Sequence, residues 1–325
     1  MFSACKVSVR GSDHTRDGAN VPCQDYAGYK NGSVGIALVA DGHGSPAYFR
    51  SHYGSELAVT CAKGVICAYL NTSMKEKSDF YAVQLDDATI EASLQEQERR
   101  ILEEWRSRVC KHYKEYPLDE NEQQHCNKYK LPTTDLTEDV IVRMYGSTLL
   151  VTVVAPQFWF HIKIGDGWTV LIRNPGQFEG IFPYEHDQDG RTDSLCQVNA
   201  IGRFKHYFGR EKVLGVISMT DGITEPIPSP DGLLDWLSKE VVNTYINEFE
   251  TFESQLETVL QTLAKRWGDD CSLVIMFDNA EREKLRKTAE NTEQEKTVEQ
   301  SSVVQDANVK PVPVDTDHKV AAETI

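Results

Sequence analysis

Short apolar runs and helix-period patterns alternate along the chain. "KVSVR" at 6–10 and "SVGIALVA" at 33–40 read as strands, and the second is apolar throughout, so both of its faces should be covered. From Pro46 the period lengthens. Tyr53, Leu57, Cys61, Val65 and Tyr69 recur every fourth residue, one face of a helix. Ile90, Leu94, Ile101, Trp105 and Val109 predict a second helix, with charged residues on its other faces. Between about Tyr113 and Glu138 the chain turns polar around Pro117 and Pro132 and reads as loop with some helix.

The strand pattern then returns in "STLLVTVVA", "FWFHIKI", "TVLIRN" and "KVLGVISMT". Their connections are too short for crossover helices, so neighbouring strands should pair antiparallel. The polar stretch "PGQFEGIFPYEHDQDGRTDSLCQ" interrupts them and reads as a mobile loop or flap. Two helices follow, one over "DGLLDWLSKEVVNTYI" and one carrying Phe252, Leu256, Leu260, Leu263 and Trp267, and "CSLVIMFD" closes with a buried strand. Trp105 and Trp267 both sit on apolar helix faces and are expected in the core. After Asn279 no Phe, Trp, Tyr or Gly occurs, and no period holds. Such a segment buries too little apolar surface to offset its chain entropy, so 279–325 is expected to be mostly disordered, with a short helix at "AEREKLRKTAE". No repeat of solenoid length is present.

Composition narrows the function classes. The 325 residues are 40% hydrophobic and 26% charged, an ordinary globular balance. The net charge of −16 argues against a nucleic-acid surface, which needs basic stripes. None of the eight cysteines forms a C-x-x-C pair, and several lie in apolar runs such as "LAVTCAKGVICAYL", so they read as reduced core residues. The first residues, "MFSACKVSVRGSDH", lack the apolar region of a signal peptide, and no apolar run reaches membrane-spanning length. The expected location is the cytoplasm.

The chemistry gathers where strands end. "IALVADGHGS" finishes on Asp41-Gly42-His43-Gly44, "HIKIGDG" on Asp166-Gly167 and "GVISMTDG" on Asp221-Gly222, while Asp269 and Asp270 precede the last strand and Asp25 precedes the strand leading to Asp41. One Asp-Gly after a strand is a turn. Three of them, with an Asp-Asp beside a strand, suggest strand ends converging on one edge. Converging carboxylates repel, and burial adds a desolvation cost unless cations sit between them. Oxygen-only ligands suit hard ions, Mg²⁺ or Mn²⁺. A pair of such ions can deprotonate a water and clamp a phosphoryl group. Gly42 would let a backbone carbonyl approach an ion or its waters with no Cβ in the way.

"CQD", "VADGHGS", "YGSTLL", "IGDG", "SMTDG" and "DDCSLVI" resemble, in order, the motifs of the metal-dependent protein phosphatases of type 2C. The resemblance runs from about Val7 to Asp278, with the region 71–140 longer than the family core needs. It implies an α+β fold, a four-layer α-β-β-α sandwich of two antiparallel sheets flanked by helices. It also implies a phosphatase domain over 1–278, a tail over 279–325, and hydrolysis of phosphoserine or phosphothreonine in a protein substrate by direct attack of a metal-bridging water. Position by position, Asp41 would bridge two ions and Gly42 would offer its carbonyl to one. Asp221 and Asp269 would complete the other ion's shell, and Asp25 would hold metal-bound waters. Asp166 stands where bacterial relatives hold a third ion together with Asp221. His43 matches the general acid for the leaving oxygen. Asp270 would orient Asp269 from behind, and Gly146-Ser147-Thr148 would pack and hydrogen-bond beside the site.

Two positions depart from the pattern. Gln24 stands where many members carry Glu; an amide can still bond a metal-bound water, but it brings no charge. A stand-alone prokaryotic branch shares "CQD". The family's phosphate-binding arginine has only Arg16 as a counterpart, farther upstream than the pattern places it. Two other readings use the same residues: a non-catalytic, regulatory relative that binds a phosphoprotein or a partner, and a phosphatase of small molecules. The segment Phe178 to Gln197 would decide between protein and small-molecule substrates.

Overall fold

A computed structural model describes residues 1–18, 20–76, 85–156, 158–174, 176–184, 192–227 and 229–291, with side chains for all of these except 16–18 and 72–76. The elements run β1 (Phe2–Val9), β2 (Tyr26–Lys30), β3 (Gly35–Ala40), α1 (Ser51–Glu76), α2 (Asp87–Glu115), α3 (Glu120–Tyr129) and α4 (Glu138–Met144). Then come β4 (Leu149–Ala155), β5 (Phe158–Ile164), β6 (Trp168–Asn174), β7 (Gln177–Gly180), β8 (Lys205–Gly209) and β9 (Gly215–Met219). The order closes with α5 (Asp221–Thr224), α6 (Pro230–Trp236), α7 (Asn243–Asn247), α8 (Phe252–Trp267) and β10 (Cys271–Asp278). The chain divides into Met1–Arg282, which holds every one of these elements, and Glu283–Ile325.

The strands form two five-stranded sheets, β1-β10-β9-β6-β7 and β2-β3-β4-β5-β8, and every pairing in them is antiparallel. Strand periodicity explains why β3 and β4 are apolar on both faces. Ile36, Leu38, Leu149, Val151 and Val153 pack with Ala58, Ala62, Ile66, Leu94, Ile101 and Trp105 of α1 and α2. Ala37, Val39, Leu150 and Val154 point the other way, against Leu171, Val216, Val274 and Met276 of the opposite sheet. Each of these leucines, isoleucines and valines contributes about 1.5–3 kcal/mol on burial, so a slip of one residue in either strand would be costly. On the far side, α8 packs on β1 and β10, and Tyr245 sits 5.0 Å from the Phe252 ring and 6.3 Å from that of Phe277. The result is the expected four-layer α-β-β-α sandwich.

Several expectations need amending. The polar 113–138 region holds a full helix, α3, started by a reciprocal capping box between Asp119 and Glu122. Strands β2, β7 and β8 are additions. β7 and β8 lie at sheet edges, where one side needs no apolar partner and the alternation fades. Trp267 is not core: it is 52% exposed in the last turn of α8, with the Arg266 guanidinium 5.5 Å above its ring, just before Gly268 ends the helix at φ 99°. The described part of the stretch expected as a flap is anchored. Trp168 Nε1 donates to the Phe182 carbonyl at 2.9 Å, and the Tyr184 hydroxyl to that of Ile227 at 2.8 Å. Pro175 and residues 185–191 of that stretch lie outside the described residues. Residues 279–291 are helical, a longer helix than "AEREKLRKTAE" suggested, and 292–325 lie outside the described residues. All eight cysteines are free thiols, and no described helix is long and apolar enough to cross a membrane.

Candidate active site

The ladder between β3 and β4 does not stop where the strands do. The Asp41 N–H donates to Thr148 Oγ1 at 2.9 Å, and the Thr148 N–H returns a bond to the Asp41 carbonyl at 2.8 Å. Gly42 bridges Ser147, and the His43 N–H donates to the Gly146 carbonyl at 3.2 Å. "GST" is therefore the rail along which "DGH" is laid. Gly42 is required for packing: a Cβ there would lie 2.5 Å from the Gln24 carbonyl oxygen and 2.8 Å from that of Ser51. Gly222 is the counterpart after Asp221, where a Cβ would lie 1.9 Å from the Asp270 carbonyl oxygen.

Asp166 lies in the turn between β5 and β6, and Asp221 opens α5 directly after β9. The folded chain brings carboxylate oxygens of Asp41, Asp166 and Asp221 within 4.8 Å of one another. One oxygen of Asp166, Oδ2, accepts from the Thr192 hydroxyl, whereas Oδ1 is buried with no hydrogen-bond partner. Asp25 is almost fully buried beneath, its Oδ2 accepting from Thr220 Oγ1 at 2.6 Å. Asp269 Oδ1 accepts the N–H of Asp270 at 2.8 Å.

The charges acting on these buried carboxylates are chiefly one another's. Burial, then the carboxylates of Asp270, Asp221 and Asp269, pushes Asp25 well above the ordinary aspartate range, with the Thr220 bond only partly opposing. Burial, followed by Asp25, Asp166 and Asp269, does the same to Asp41. Burial, followed by Asp41, Asp166 and Asp269, does so to Asp221. Burial also raises Asp269. The donor set fits a hard divalent cation: it offers oxygen alone, it has an orphaned buried carboxylate oxygen, and its mutual repulsion is what such a cation would relieve.

His43 borders this cluster. Burial lowers its pKa below the ordinary histidine value against an opposing pull from Asp166, and its ring meets Tyr48 edge-on at 4.8 Å. A family model described as "Protein phosphatase 2C" matches residues 10–266. The chain belongs to that family. The phosphatase is thus a phosphoric monoester hydrolase by family, the enzyme class its motifs implied. Among solved structures, a serine/threonine phosphatase, Stp1, from Staphylococcus aureus has a TM-score of 0.50 at 15% identity, over 86% of this chain and 96% of that one. The serine/threonine phosphatase PstP/Ppp of Mycobacterium tuberculosis has a TM-score of 0.49 at 15% identity, over 85% of this chain and 98% of that one. No curated protein matches the sequence.

The remaining site residues of the phosphatase hold its loops in place. The Gln24 side chain is buried, and its Nε2 donates to the His43 carbonyl at 3.1 Å and to the Ser51 hydroxyl. A carbonyl only accepts, so the amide nitrogen must face it. Gln24 thereby links the DGHG turn to the start of α1. The Asp270 carboxylate accepts from the Gly11 N–H at 2.7 Å and the Gln24 N–H at 2.5 Å, with His14 Nδ1 3.2 Å away. Asp270 steadies Asp269 through its backbone, while its side chain pins the loop before β2. Arg16 falls in the turn Ser12–Gly18, and its side chain lies outside the described residues. Sequence reasoning passed over Thr220, Thr192 and Ser51. Thr220 had a signal, since it directly precedes Asp221 in "SMTDG".

Proposed function

We propose that the phosphatase removes phosphate from phosphoserine or phosphothreonine in proteins and depends on Mg²⁺ or Mn²⁺. The observation that carries this reading is the convergence of carboxylate oxygens of Asp41, Asp166 and Asp221 within 4.8 Å of one another. Asp41, Asp221 and Asp269, with the Gly42 carbonyl, would hold two ions, and Asp25 would orient their waters. Asp166, whose buried Oδ1 has no hydrogen-bond partner and lies in the same cluster, would hold a third ion with Asp221. When bound, the ions supply charge neutralisation for the phosphoryl oxygens and an acidified water.

The chain's own part is orientation and proton transfer. Thr148 fixes the Asp41 backbone, Thr220 fixes Asp25 and Thr192 fixes Asp166. His43 delivers a proton to the departing seryl or threonyl oxygen, which as an alkoxide would leave poorly. The unit responsible is residues 1–278, in which β1 and β10 pair along their whole lengths from Phe2 with Asp278 to Val9 with Cys271. The test is hydrolysis of p-nitrophenyl phosphate with Mn²⁺, Mg²⁺ or EDTA, beside Asp41→Asn and Asp221→Asn. Activity that needs the metal and disappears in both variants supports the reading; a folded, metal-supplied protein without activity overturns it.

A further inference from the structure

Beyond His43 the site continues into an aromatic and then a cationic group. The Tyr48 ring that meets His43 at 4.8 Å also lies under the Arg143 guanidinium, whose Cζ is 5.9 Å from the ring centroid. Arg143 also acts electrostatically on Cys196, in the segment whose Leu195 N–H and Ser194 hydroxyl bond the Ser147 carbonyl. The same segment supplies Thr192, the partner of Asp166. Arg143 is thus located beside His43 through the Tyr48 ring.

Its backbone is fixed as well. Arg143 is in the last turn of α4, and its carbonyl accepts the Gly146 N–H at 3.1 Å, immediately before the residues that clamp Asp41. The side chain is exposed and has no carboxylate partner among the described residues. Other arginines of this helical layer differ. Arg99, Arg100, Arg106 and Arg108 each hold a glutamate or aspartate at 3.0 Å or less. A guanidinium laid over an aromatic face keeps its N–H fork free for a planar or tetrahedral anion.

We propose that Arg143 is a specificity-determining residue that binds an anionic group on the substrate, a carboxylate or a second phosphate, close in sequence to the phosphate being removed. The proposal rests on the phosphatase reading above. The two ring separations put the guanidinium at most roughly 11 Å from the imidazole, the span of about three residues of extended chain. An anion within about three residues of the phosphoserine can therefore reach Arg143 while the seryl oxygen lies at His43.

The test uses fluorescent phosphoserine peptides that carry, within three residues of the phosphoserine, Asp, a second phosphoserine, or Asn. Hydrolysis and anisotropy are measured for the metal-loaded wild type and for Arg143→Gln, Arg143→Lys and Arg143→Glu. Wild-type kcat/KM should favour the Asp and doubly phosphorylated peptides over the Asn peptide by about tenfold or more, the scale of one charge-assisted hydrogen bond, mainly through KM. Arg143→Gln should bring the ratio near one, Arg143→Lys should keep part of it, and Arg143→Glu should invert it. A preference confined to one of the two anionic peptides would identify which anion is read. A wild-type ratio near one, or a ratio unchanged in Arg143→Gln, overturns the proposal. If the wild type hydrolyses nothing but shows an Arg143-dependent anisotropy preference, the phosphatase reading falls and the anion site stands. A thermal melt of each variant reports folding, and Arg143→Lys carries the comparison if Arg143→Glu does not fold.

Discussion

The side-chain amide of Gln24 donates to the carbonyl of His43 at 3.1 Å and to the Ser51 hydroxyl, joining the DGHG turn to the first turn of α1. A glutamate in its place, the residue many relatives carry, has no N–H to give. Its ionised carboxylate would face the His43 carbonyl with like partial charge, in a buried position. Gln24→Glu should therefore lower the stability of the metal-free protein by about 1–3 kcal/mol, the cost of an unsatisfied buried acceptor. Denaturant unfolding in EDTA checks this, and an unchanged midpoint would remove the bridging role given to Gln24.

The region 71–140 is tied to the active-site side of the molecule by one buried cation. Arg50, next to the start of α1, bonds Glu122 of α3 through Nε at 2.6 Å, the Tyr116 carbonyl at 2.7 Å and the Tyr145 hydroxyl at 2.8 Å. Removing one partner of such a pair strands a charge, at about 3–5 kcal/mol. Arg50→Met should cost on that order, and adding Glu122→Leu should recover much of it. Equal losses in the single and double variants, measured by urea unfolding, would show that the pair is not the tie.

His206 of β8 meets Glu98 of α2 at 2.7 Å, and this hydrogen bond, with the nearby carboxylate charge, raises the histidine pKa against the opposing effect of burial. A raised folded-state value means that protonated His206 favours the fold. The contribution is complete below the unfolded value of about 6.5 and is lost as pH rises through the folded value. Wild type should melt above His206→Gln at pH 5.5–6, and the gap should close at higher pH. A gap that widens toward pH 8 would contradict the assignment.

His43 should matter in proportion to how poor the leaving group is. Removing a positioned general acid costs about 10²–10⁴-fold where protonation is needed. His43→Gln should therefore reduce phosphoserine-peptide turnover by about a hundredfold and p-nitrophenyl phosphate turnover by much less. Equal losses on both substrates would assign His43 to holding the loop.

Much of this molecule is legible in the sequence because burial leaves a periodic trace. The two-faced apolar strands β3 and β4, and the fourth-residue stripes of α1 and α2, could be read directly. The Asp-Gly pairs could be placed because each follows such a strand. Edge strands β7 and β8 left no comparable trace, and Trp267 misled because a stripe marks a face without saying where the covered part of the helix ends. The capping box of α3 was present as Asp119 and Glu122, yet the polar composition around it masked the helix. Least legible was the use of Gln24 and Asp270. Their side chains also bond backbone groups far away in sequence, contacts that residue type alone does not reveal.

The most direct test of the account is a thermal melt of the chelated protein, with and without added Mn²⁺, for wild type and Asp221→Asn. The raised pKa values of Asp25, Asp41 and Asp221 mean that the metal-free fold holds protons the unfolded chain has released. Metal-free stability should therefore fall as pH rises above about 4, the unfolded aspartate value. Asp221→Asn should melt above wild type without metal at pH 7.5, since one of the repelling charges is gone. Mn²⁺ at about a hundredfold its dissociation constant should stabilise wild type by about 2.7 kcal/mol and the variant far less. If wild type and Asp221→Asn melt together without metal, and neither responds to Mn²⁺, the carboxylates of Asp41, Asp166 and Asp221 are not a cation site.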